Sequence, residues 1–254
     1  MRLGIIGCGA IGTDVAKAAD AMNDIEKIYL FDINGAAAKK LCSLVKKASI
    51  KPVDKFLEDV DVVFEAASQQ AVSQYAEIIL EAGKDLIIMS IGSLFNDTLR
   101  KKLENIAREH HRKIYLPSGA VCGIDGVLAA NMEKLDSVTL VTTKPPASLG
   151  KTVEQRTVVF EGTARDAVKQ FPKNINVAAC LSLAGVGFDD TKVKIVADPV
   201  ETRISHKILA HGRFGRLRAE VENMPNPNNP QSSYMASLSA IATLRRVLDP
   251  LQIA

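Results

Sequence analysis

Runs of apolar residues alternate with amphipathic stretches along the first half of the chain. The first run, Leu3 to Ile6, is followed by apolar residues spaced four, three and four apart: Ile11, Val15, Ala18 and Met22. A near-continuous apolar run is typical of a buried parallel strand, and the second spacing is typical of the inward face of a helix. About six such strands alternate with helices, so residues 1–118 are predicted to form a doubly wound parallel sheet of Rossmann type, an α/β fold.

The elements of this half can be placed individually. After a second strand that ends at Asp32, the pattern predicts a helix to about Lys47, a short strand at 51–53 and an apolar strand over 60–67. A helix over 70–82 is expected to end at Gly83, a typical residue for the position just after a helix. A strand over 85–90, a helix over 97–110 and a strand over 113–117 complete the domain.

From residue 119 the pattern changes to strands that need not be parallel. They are predicted over 137–143, 156–161, 192–197, 204–210 and 217–223, with helices near 164–170 and 176–184. These elements predict a mixed sheet with helices on one face, which makes residues 119–231 an α+β second domain. The proline-rich run Met224 to Pro230 predicts a loop, because prolines lack the N–H donor that a helix or inner strand needs.

The segment 232–254 is predicted to hold a final helix that packs back on the first domain. Ser232 or Ser233 is expected to cap it, and it should run to about Leu248. Its inward face is expected to be apolar, formed by Met235, Leu238, Ile241, Ala242 and Leu244.

Gly7-Cys8-Gly9-Ala10-Ile11-Gly12 lies where the first strand meets the first helix. Gly7 permits a tight turn, Gly9 lets a pyrophosphate approach the backbone, and Gly12 lets the helix pack closely on the strand. The free N–H groups at the start of the helix, around Ala10 and Ile11, attract the phosphates. The sequence therefore predicts a dinucleotide site. The alternative is a glycine-rich turn in an unrelated α/β protein, in which Asp32 merely caps the next helix.

Asp32 lies twenty residues beyond Gly12. At that distance an acid accepts hydrogen bonds from the adenosine ribose hydroxyls. Its charge would repel a 2′-phosphate, so NAD is favoured over NADP. Ala66, Ala67 and Ser68, at the end of a later strand, are expected beneath the nicotinamide ribose, because ligands of such sheets lie outside the carboxyl ends of the strands.

Composition narrows the class of protein further. The 254 residues include 32 Lys plus Arg and 29 Asp plus Glu, with no basic block, so nucleic acid is not an expected partner. The four cysteines, Cys8, Cys42, Cys122 and Cys180, are far apart and are interpreted as reduced thiols, and no metal-ligand spacing is present. Without a leader or an apolar run of about eighteen residues, the chain is expected to be soluble and cytoplasmic, with no membrane partner.

The four histidines are unequal candidates for acid–base chemistry. His110 and His111 end a predicted surface helix, and His211 precedes a glycine in a turn. His206 follows the Asp198-Pro199 turn in the second domain, where an imidazole can exchange a proton with substrate. The residues alone leave open a structural histidine bonded to a carbonyl.

Five further segments carry a family resemblance: Pro117 to Ala120, Thr142 to Pro146, Phe171 to Val177, Ala197 to Pro199 and Asn228 to Pro230. With these motifs, in this order, the chain resembles the L-aspartate dehydrogenase family over nearly its whole length. The resemblance implies a homodimeric NAD(P)-dependent enzyme that converts L-aspartate to iminoaspartate, or oxaloacetate plus ammonia, and is linked to NAD biosynthesis. It also implies that His206 is the catalytic acid/base and that Ala120 and Asn176 contact the cofactor.

A dicarboxylic substrate requires cationic or hydroxyl partners, and Lys144, Lys173, Arg203 and Ser233 are candidates. The alternative for each is a solvated surface residue. The chain departs from the family at Ile204, where an asparagine is usual two places before the histidine, and at Gln231, where a lysine is usual. Both departures bear on substrate identity.

Two other enzymes and one other class of protein share features with this sequence. Dihydrodipicolinate reductase is similar in its His-His pair and Pro-Ser-Gly element, but Lys113 is one position too close and Ala120 replaces a threonine. A sugar dehydrogenase of the glucose–fructose oxidoreductase type lacks its Glu-Lys-Pro, since Met89-Ser90-Ile91 stands there. A non-catalytic NAD(H)-sensing protein has the same fold and stays an alternative, because fold alone does not settle function.

Overall fold

A computed structural model describes residues 1–171 and 176–252. These residues divide into two compact units. Unit 1 comprises Met1–Pro117 together with the C-terminal segment that begins at Ser237. Unit 2 comprises Ser118–Ala236. Each unit has its own sheet and its own buried core.

Strands and helices alternate along unit 1. The strands are β1 (Arg2–Ile6), β2 (Lys27–Phe31), β3 (Ala48–Ile50), β4 (Val62–Glu65), β5 (Asp85–Ile88) and β6 (Ile114–Tyr115). The helices between them are α1 (Ala10–Asp20), α2 (Gly35–Cys42), α3 (Val53–Phe56), α4 (Gln69–Glu81) and α5 (Asp97–Glu109). Gly83 has φ +71° just beyond α4 and bonds back to Leu80, as expected of the residue that ends this helix.

The six strands form one parallel sheet in the order β3-β2-β1-β4-β5-β6. The predicted doubly wound Rossmann-type sheet is therefore confirmed. Its centre is fully apolar, with Leu3, Ile5, Phe64 and Ile87 at 0% exposure. The strand order reverses between β1 and β4, so the loops at their carboxyl ends flank the crevice in which such sheets bind ligands.

Two predicted boundaries in unit 1 are wrong. Helix α2 ends at Cys42 rather than near Lys47, and the short strand lies at Ala48–Ile50 rather than at 51–53. The Asp20 carboxylate accepts hydrogen bonds from the backbone N–H groups of Lys46 and Lys47, which holds this stretch in a turn. Pro52 begins the next helix, α3, and cannot donate to a strand.

The buried face of α1 also differs from the prediction. Gly12, Val15, Ala16 and Ala19 are buried, whereas Ile11, Ala18 and Met22 are only half-buried. Small residues therefore form most of the contact between this helix and the sheet. The helix can lie close to β1 for that reason.

In its described residues, unit 2 holds a five-stranded mixed sheet, a two-stranded sheet and three α-helices between the strands. Its strands are β7 (Leu135–Lys144), β8 (Thr157–Thr163), β9 (Lys192–Ala197), β10 (Ile204–Gly212), β11 (Gly215–Asn223), β12 (Pro225–Asn226) and β13 (Asn229–Ser233). Its helices are α6 (Ile124–Ala130), α7 (Ala164–Gln170) and α8 (Asn176–Ala184).

Five of these strands form a sheet in the order β11-β10-β7-β9-β8, with β7 and β9 parallel and the other pairs antiparallel. The predicted α+β arrangement with a mixed sheet is confirmed. Helix α6 packs on β11, since a Cβ on Gly126 would lie 2.7 Å from Leu217. Behind α8, a Cβ on Gly185 would lie 3.2 Å from Val138 of β7. The helices thus cover one face of the sheet, which is called the inner face below.

Three expectations for the later part of the chain need correction. The run predicted as a loop contains a short antiparallel pair, β12 with β13, in which Pro225 faces Ser233. Helix α6 was not predicted; its seven residues are too few for a clear periodicity. The last helix, α9 (Tyr234–Leu248), buries Ser237, Ala240, Thr243 and Leu244, whereas Met235 and Leu238 are 39% and 40% exposed. Of the predicted inward residues, Leu244 alone is fully buried, with Ile241 half-buried and Ala242 exposed.

Candidate functional site

The turn between β1 and α1 depends on two glycines. Gly7 has φ +100°, and a Cβ there would lie 2.6 Å from the carbonyl oxygen of Ala66. A Cβ on Gly12 would lie 1.9 Å from the carbonyl oxygen of Gly7. No side chain fits at either position, so the turn is held against both the helix and the loop after β4.

Gly9 is the N-cap of α1, and no side chain caps the helix. An added Cβ at Gly9 would meet nothing within 4 Å, so the space beside this backbone is open. Ala10 and Ile11 form the first turn of the helix. Helix α1 has eleven residues, and its start is open and uncapped. Such a helix start is suited to phosphate groups, which fits a dinucleotide pyrophosphate.

The carboxylate of Asp32 is fixed by two backbone bonds. One oxygen accepts a hydrogen bond from Cys8 N–H and the other from Asn34 N–H, both at 2.7 Å. Helix α2 is capped instead by Asn34, whose side-chain oxygen accepts from Ala36 and Ala37. The alternative in which Asp32 serves as the helix cap is therefore wrong. Each oxygen of Asp32 retains a second lone-pair direction, so a ribose hydroxyl can still be accepted.

Gly7, Asp32, Ala67 and Ser68 line one cavity of about 120 Å³ in unit 1. The main chain of Ala66 lies against Gly7 instead. The lining residues that were not predicted include Ile33, Gln70, Gln74 and Tyr75. The last three share one side of α4, and the helical spacing of polar and aromatic residues there was the available signal. Ile33 is 92% exposed.

Glu65 is a further residue that the sequence did not single out. Its side chain, 1% exposed, ends β4 and accepts four hydrogen bonds. They come from the backbone N–H groups of Ala67, Ser68 and Ser90 and from the Ser90 hydroxyl, at 2.8 to 3.0 Å. Burial raises the pKa of Glu65, and these bonds lower it in part. The carboxylate thus ties the loop after β4 to the loop after β5.

His206 lies on β10 and is buried, with 5% exposure, on the inner face of the unit 2 sheet. It stands opposite Thr142 of β7, and its Nδ1 is 2.9 Å from the threonine hydroxyl. That bond fixes the ring and leaves Nε2 for another partner. Burial, with a contribution from the charge of Lys144, lowers the pKa of His206 to about 3. The imidazole is therefore neutral at pH 7.

Lys144 ends β7, two residues beyond Thr142 and on the same face. It is 6% exposed, and it is the only lysine or arginine among the buried residues of the described ranges. Burial lowers its pKa to about 8. A buried ammonium is costly, and such groups are found mainly where function uses them.

Ala120 and Asn176 lie in adjoining segments of unit 2. Asn176 is the first residue of α8, and an added Cβ on Gly119 would lie 3.7 Å from the side chain of Val177. The carbonyl of Ala120 accepts a hydrogen bond from the side chain of Asn223 at 3.1 Å. Asn223 was not predicted as a site residue, and no short motif identifies it.

The remaining candidates are scattered. Ser233 is buried at the end of β13, and Arg203 is exposed and paired with Glu222 at 3.2 Å. Lys173 lies outside the described residues. His110 and His111 are exposed after α5, and His211 pairs with Asp136 at the surface. The histidine pair that resembles dihydrodipicolinate reductase thus belongs to the surface of unit 1.

Two kinds of feature are absent from the described ranges. There, no group of three or more His, Cys, Asp and Glu is placed to hold a metal ion. No helix in the same ranges is both long and apolar enough to cross a membrane.

A parallel sheet in which the first strand leads into a glycine turn and the second ends at an acid is the fold of dinucleotide-dependent dehydrogenases. The structure of GenD2 from gentamicin A biosynthesis, solved in complex with NAD, has this fold, with a TM-score of 0.61. It covers 98% of this chain and 85% of GenD2, at 12% identity. Residues 7–117 match the model described as homoserine dehydrogenase, NAD binding domain.

Nearer relatives identify the family. Residues 125–247 match the model described as aspartate dehydrogenase, C-terminal. L-Aspartate dehydrogenase of Methanosarcina barkeri is 43% identical, over 100% of this chain and 99% of the relative. The crystal structure of aspartate dehydrogenase from Thermotoga maritima is 30% identical, with a TM-score of 0.84 over 100% and 99% of the two chains. The chain belongs to the aspartate dehydrogenase family.

Proposed function

We propose that this protein is an NAD(P)-dependent L-aspartate dehydrogenase that interconverts L-aspartate with iminoaspartate, or oxaloacetate plus ammonia. The observation that carries the proposal is the pairing of a buried imidazole and a buried ammonium, His206 and Lys144, on one sheet face of unit 2. One group suits proton exchange and the other suits a carboxylate, and the family names both the substrate and the reaction type.

The cofactor would be held by unit 1. Gly7, Gly9 and Gly12 would leave room for the pyrophosphate, and the N–H groups around Ala10 and Ile11 would donate hydrogen bonds to it. Ala66, Ala67 and Ser68 would lie beneath the nicotinamide ribose. Asp32 would accept the adenosine ribose hydroxyls, and its charge favours NAD over NADP. When bound, the nicotinamide ring exchanges a hydride with the substrate Cα.

Two residues of unit 2 are proposed to contact the cofactor as well. Asn176 stands at the start of α8, where its amide can bond the nicotinamide carboxamide and fix which ring face is offered. Ala120 has its carbonyl bonded to Asn223, which fixes the main chain beside it. Both assignments follow the family resemblance.

His206 is proposed to move the proton. Its Nδ1 is engaged by Thr142, so Nε2 is the atom that would take a proton from the substrate ammonium or from the water that hydrolyses the imine. Its pKa of about 3 is far from neutral. Two substrate carboxylates beside it would raise the pKa of the imidazole, since opposite charge favours the protonated form. Proton acceptance then depends on bound substrate.

Lys144 is proposed to bind a substrate carboxylate. Its charge is desolvated, so an ion pair formed there is screened less than one at the surface. Ser233, buried in the same unit, and Lys173 are further candidates for the second carboxylate. Arg203 is a weaker one, because it is exposed and already paired with Glu222.

The test is a steady-state comparison of three oxo acids with ammonium and NADH. Oxaloacetate is expected to give the highest kcat/KM, with pyruvate and 2-oxoglutarate well below it, because each lacks a correctly spaced second carboxylate. Repeating the comparison with NADPH measures the cofactor preference. Tight NADH binding without turnover of any oxo acid would favour the sensing protein.

Three further properties are part of the proposal. The protein is expected to form a homodimer and to supply NAD biosynthesis, as the family resemblance implies. A cytoplasmic location fits its four cysteines, all of them free thiols. Light scattering on the purified protein measures the oligomeric state.

A further inference from the structure

Asn223, the last residue of β11, has one side-chain atom without a partner. The residue is 2% exposed, and its Nδ2 donates a hydrogen bond to the carbonyl of Ala120 at 3.1 Å. Its Oδ1 is buried and accepts no hydrogen bond within the described ranges. A buried acceptor left unpaired is destabilising, and such atoms are rare in folded proteins. A ligand or ordered water that donates a hydrogen bond would satisfy it.

The position of Asn223 relates it to the candidate catalytic residues. It lies directly opposite Ile204, two residues before His206 on β10. Residues opposite each other in an antiparallel pair share a face, and diagonal neighbours are about 7–8 Å apart. Asn223 therefore shares the inner face with His206, Thr142 and Lys144. Asn223, His206 and Lys144 are also all buried, at 2%, 5% and 6% exposure.

The chemistry of Oδ1 selects its partner. The Ala120 bond fixes the orientation of the amide, because Nδ2 must face a carbonyl and Oδ1 must then point away from it. An amide oxygen accepts hydrogen bonds and cannot donate them. An ammonium, amine or iminium nitrogen carries the required hydrogen, whereas a ketone or carboxylate oxygen does not. The face thus offers an acceptor at Asn223 and a cation at Lys144.

We propose that Asn223 accepts a hydrogen bond from the nitrogen of the substrate and so makes the site selective for an amino or imino compound over an oxo compound. This assignment rests on the proposed dehydrogenase function. Asn223 is then a specificity-determining residue, and Ala120 is the anchor that orients it. Ile204, the residue at which the chain departs from the family pattern, is its neighbour across the ladder.

Two variants separate the acceptor from the anchor. Asn223→Leu removes both, whereas Asn223→Asp keeps an oxygen acceptor and loses the donor to Ala120. Asn131→Leu is the matched control, because the Asn131 amide also donates to main-chain carbonyls of unit 2, those of Ala184 and Gly185. The KM for ammonium, the KM for oxaloacetate, the Kd for NADH and the Tm are measured for each. Asn223→Ala replaces the leucine variant if its Tm shows a folding defect.

Asn223→Leu is expected to raise the KM for ammonium about tenfold, with the KM for oxaloacetate and the Kd for NADH within about twofold of wild type. Asn223→Asp is expected to keep the KM for ammonium within about threefold, and Asn131→Leu to lower only the Tm. An unchanged KM for ammonium in Asn223→Leu, or equal losses in the leucine and aspartate variants, would overturn the assignment. Two results with the wild-type protein would overturn the proposed function instead: turnover of oxaloacetate that does not require ammonium, and no turnover of oxaloacetate.

Discussion

The candidate sites of the two units differ in the kind of atoms that form them. In unit 1 the site is made largely of main-chain atoms from residues close together in the sequence, as at Gly7, Gly9 and Gly12. In unit 2 it is made of side chains from separate strands, and Thr142 and His206 are 64 residues apart. A main-chain site should be damaged chiefly by side chains added at its glycines, whereas a side-chain site should fail when one group is removed.

The largest effect is expected from His206→Ala, which removes the proposed proton carrier. Its kcat should fall by roughly two to four orders of magnitude, the range of acid–base catalysis. The Kd for NADH should stay within about twofold, because the proposed cofactor contacts lie mainly in unit 1. His211→Ala, a surface histidine of the same strand, is the control and should keep wild-type turnover. Turnover near wild type in His206→Ala would contradict the catalytic role.

The same histidine predicts a pH dependence of stability. Its pKa is lowered from 6.5 to about 3 in the folded protein, so the unfolded chain binds the proton more readily between these values. The free energy of unfolding should therefore be highest above about pH 6.5 and should fall as the pH falls toward 3, by a few kcal/mol from this group. His206→Gln should flatten that part of the curve, measured by urea unfolding at several pH values. Equal slopes in both proteins would argue that the ring is not buried.

Lys144→Met tests the second charged group of unit 2. Loss of a charged hydrogen bond should raise the KM for oxaloacetate about 10- to 100-fold. The same change should remove a rise in the free energy of unfolding between about pH 8 and pH 10.5, because in that range the unfolded chain holds the lysine proton more readily than the folded protein. A higher KM for oxaloacetate would identify a substrate-binding residue, whereas a change in the stability curve alone would indicate a packing residue. Lys192→Met, an exposed lysine of β9, should change neither.

Glu65→Gln asks whether the main-chain site of unit 1 also depends on a single side chain. All four partners of Glu65 are donors, so an amide NH₂ must face at least one of them. The loops after β4 and β5 should loosen, and the Kd for NADH should rise about tenfold with kcat at saturating NADH unchanged. Asp20→Asn is the control: Asp20 also accepts two backbone bonds, but it lies at the far end of α1. An unchanged Kd for NADH would mean that Glu65 contributes to folding and not to cofactor binding.

The smallest effect is expected at Asp32. Asp32→Ala should lower the preference for NADH over NADPH roughly fivefold, because it removes a charge that would repel the 2′-phosphate of NADPH. The effect is small because Asp32 is only half-buried and solvent screens its charge. Asp32→Asn separates charge from geometry, because it keeps an acceptor for one of the two backbone bonds. A wild-type protein that already prefers NADPH would contradict the ribose assignment.

The sequence predicted what depends on short-range pattern. The parallel strands other than β3, the five strands of the mixed sheet and the helix start after Gly9 follow from the spacing of apolar residues and glycines. The end of α2 was missed, because it is set by a carboxylate from α1, Asp20, some 26 residues earlier. The helix propensity of the local residues does not depend on such a contact and so cannot predict it.

The residues around His206 could not be predicted from the sequence, for a related reason. Thr142 and Asn223 come next to it only through the register of β10 with β7 and β11, and a shift of one residue would turn each of them to the other face. His206 itself was recognised by its residue type and by family resemblance. Glu65 was overlooked because an acid at the end of an apolar strand gives no sign of the four donors around it.

Cys8 stands inside the glycine turn, and burial together with the nearby charge of Asp32 raises its pKa to about 12. Thiolate is the reactive form of cysteine, so this sulfur stays protonated and inert at physiological pH. Alkylating reagents and mild oxidants should therefore modify the exposed Cys122 first and leave the turn intact. A fluorophore can be attached at Cys122 without disturbing the glycine turn.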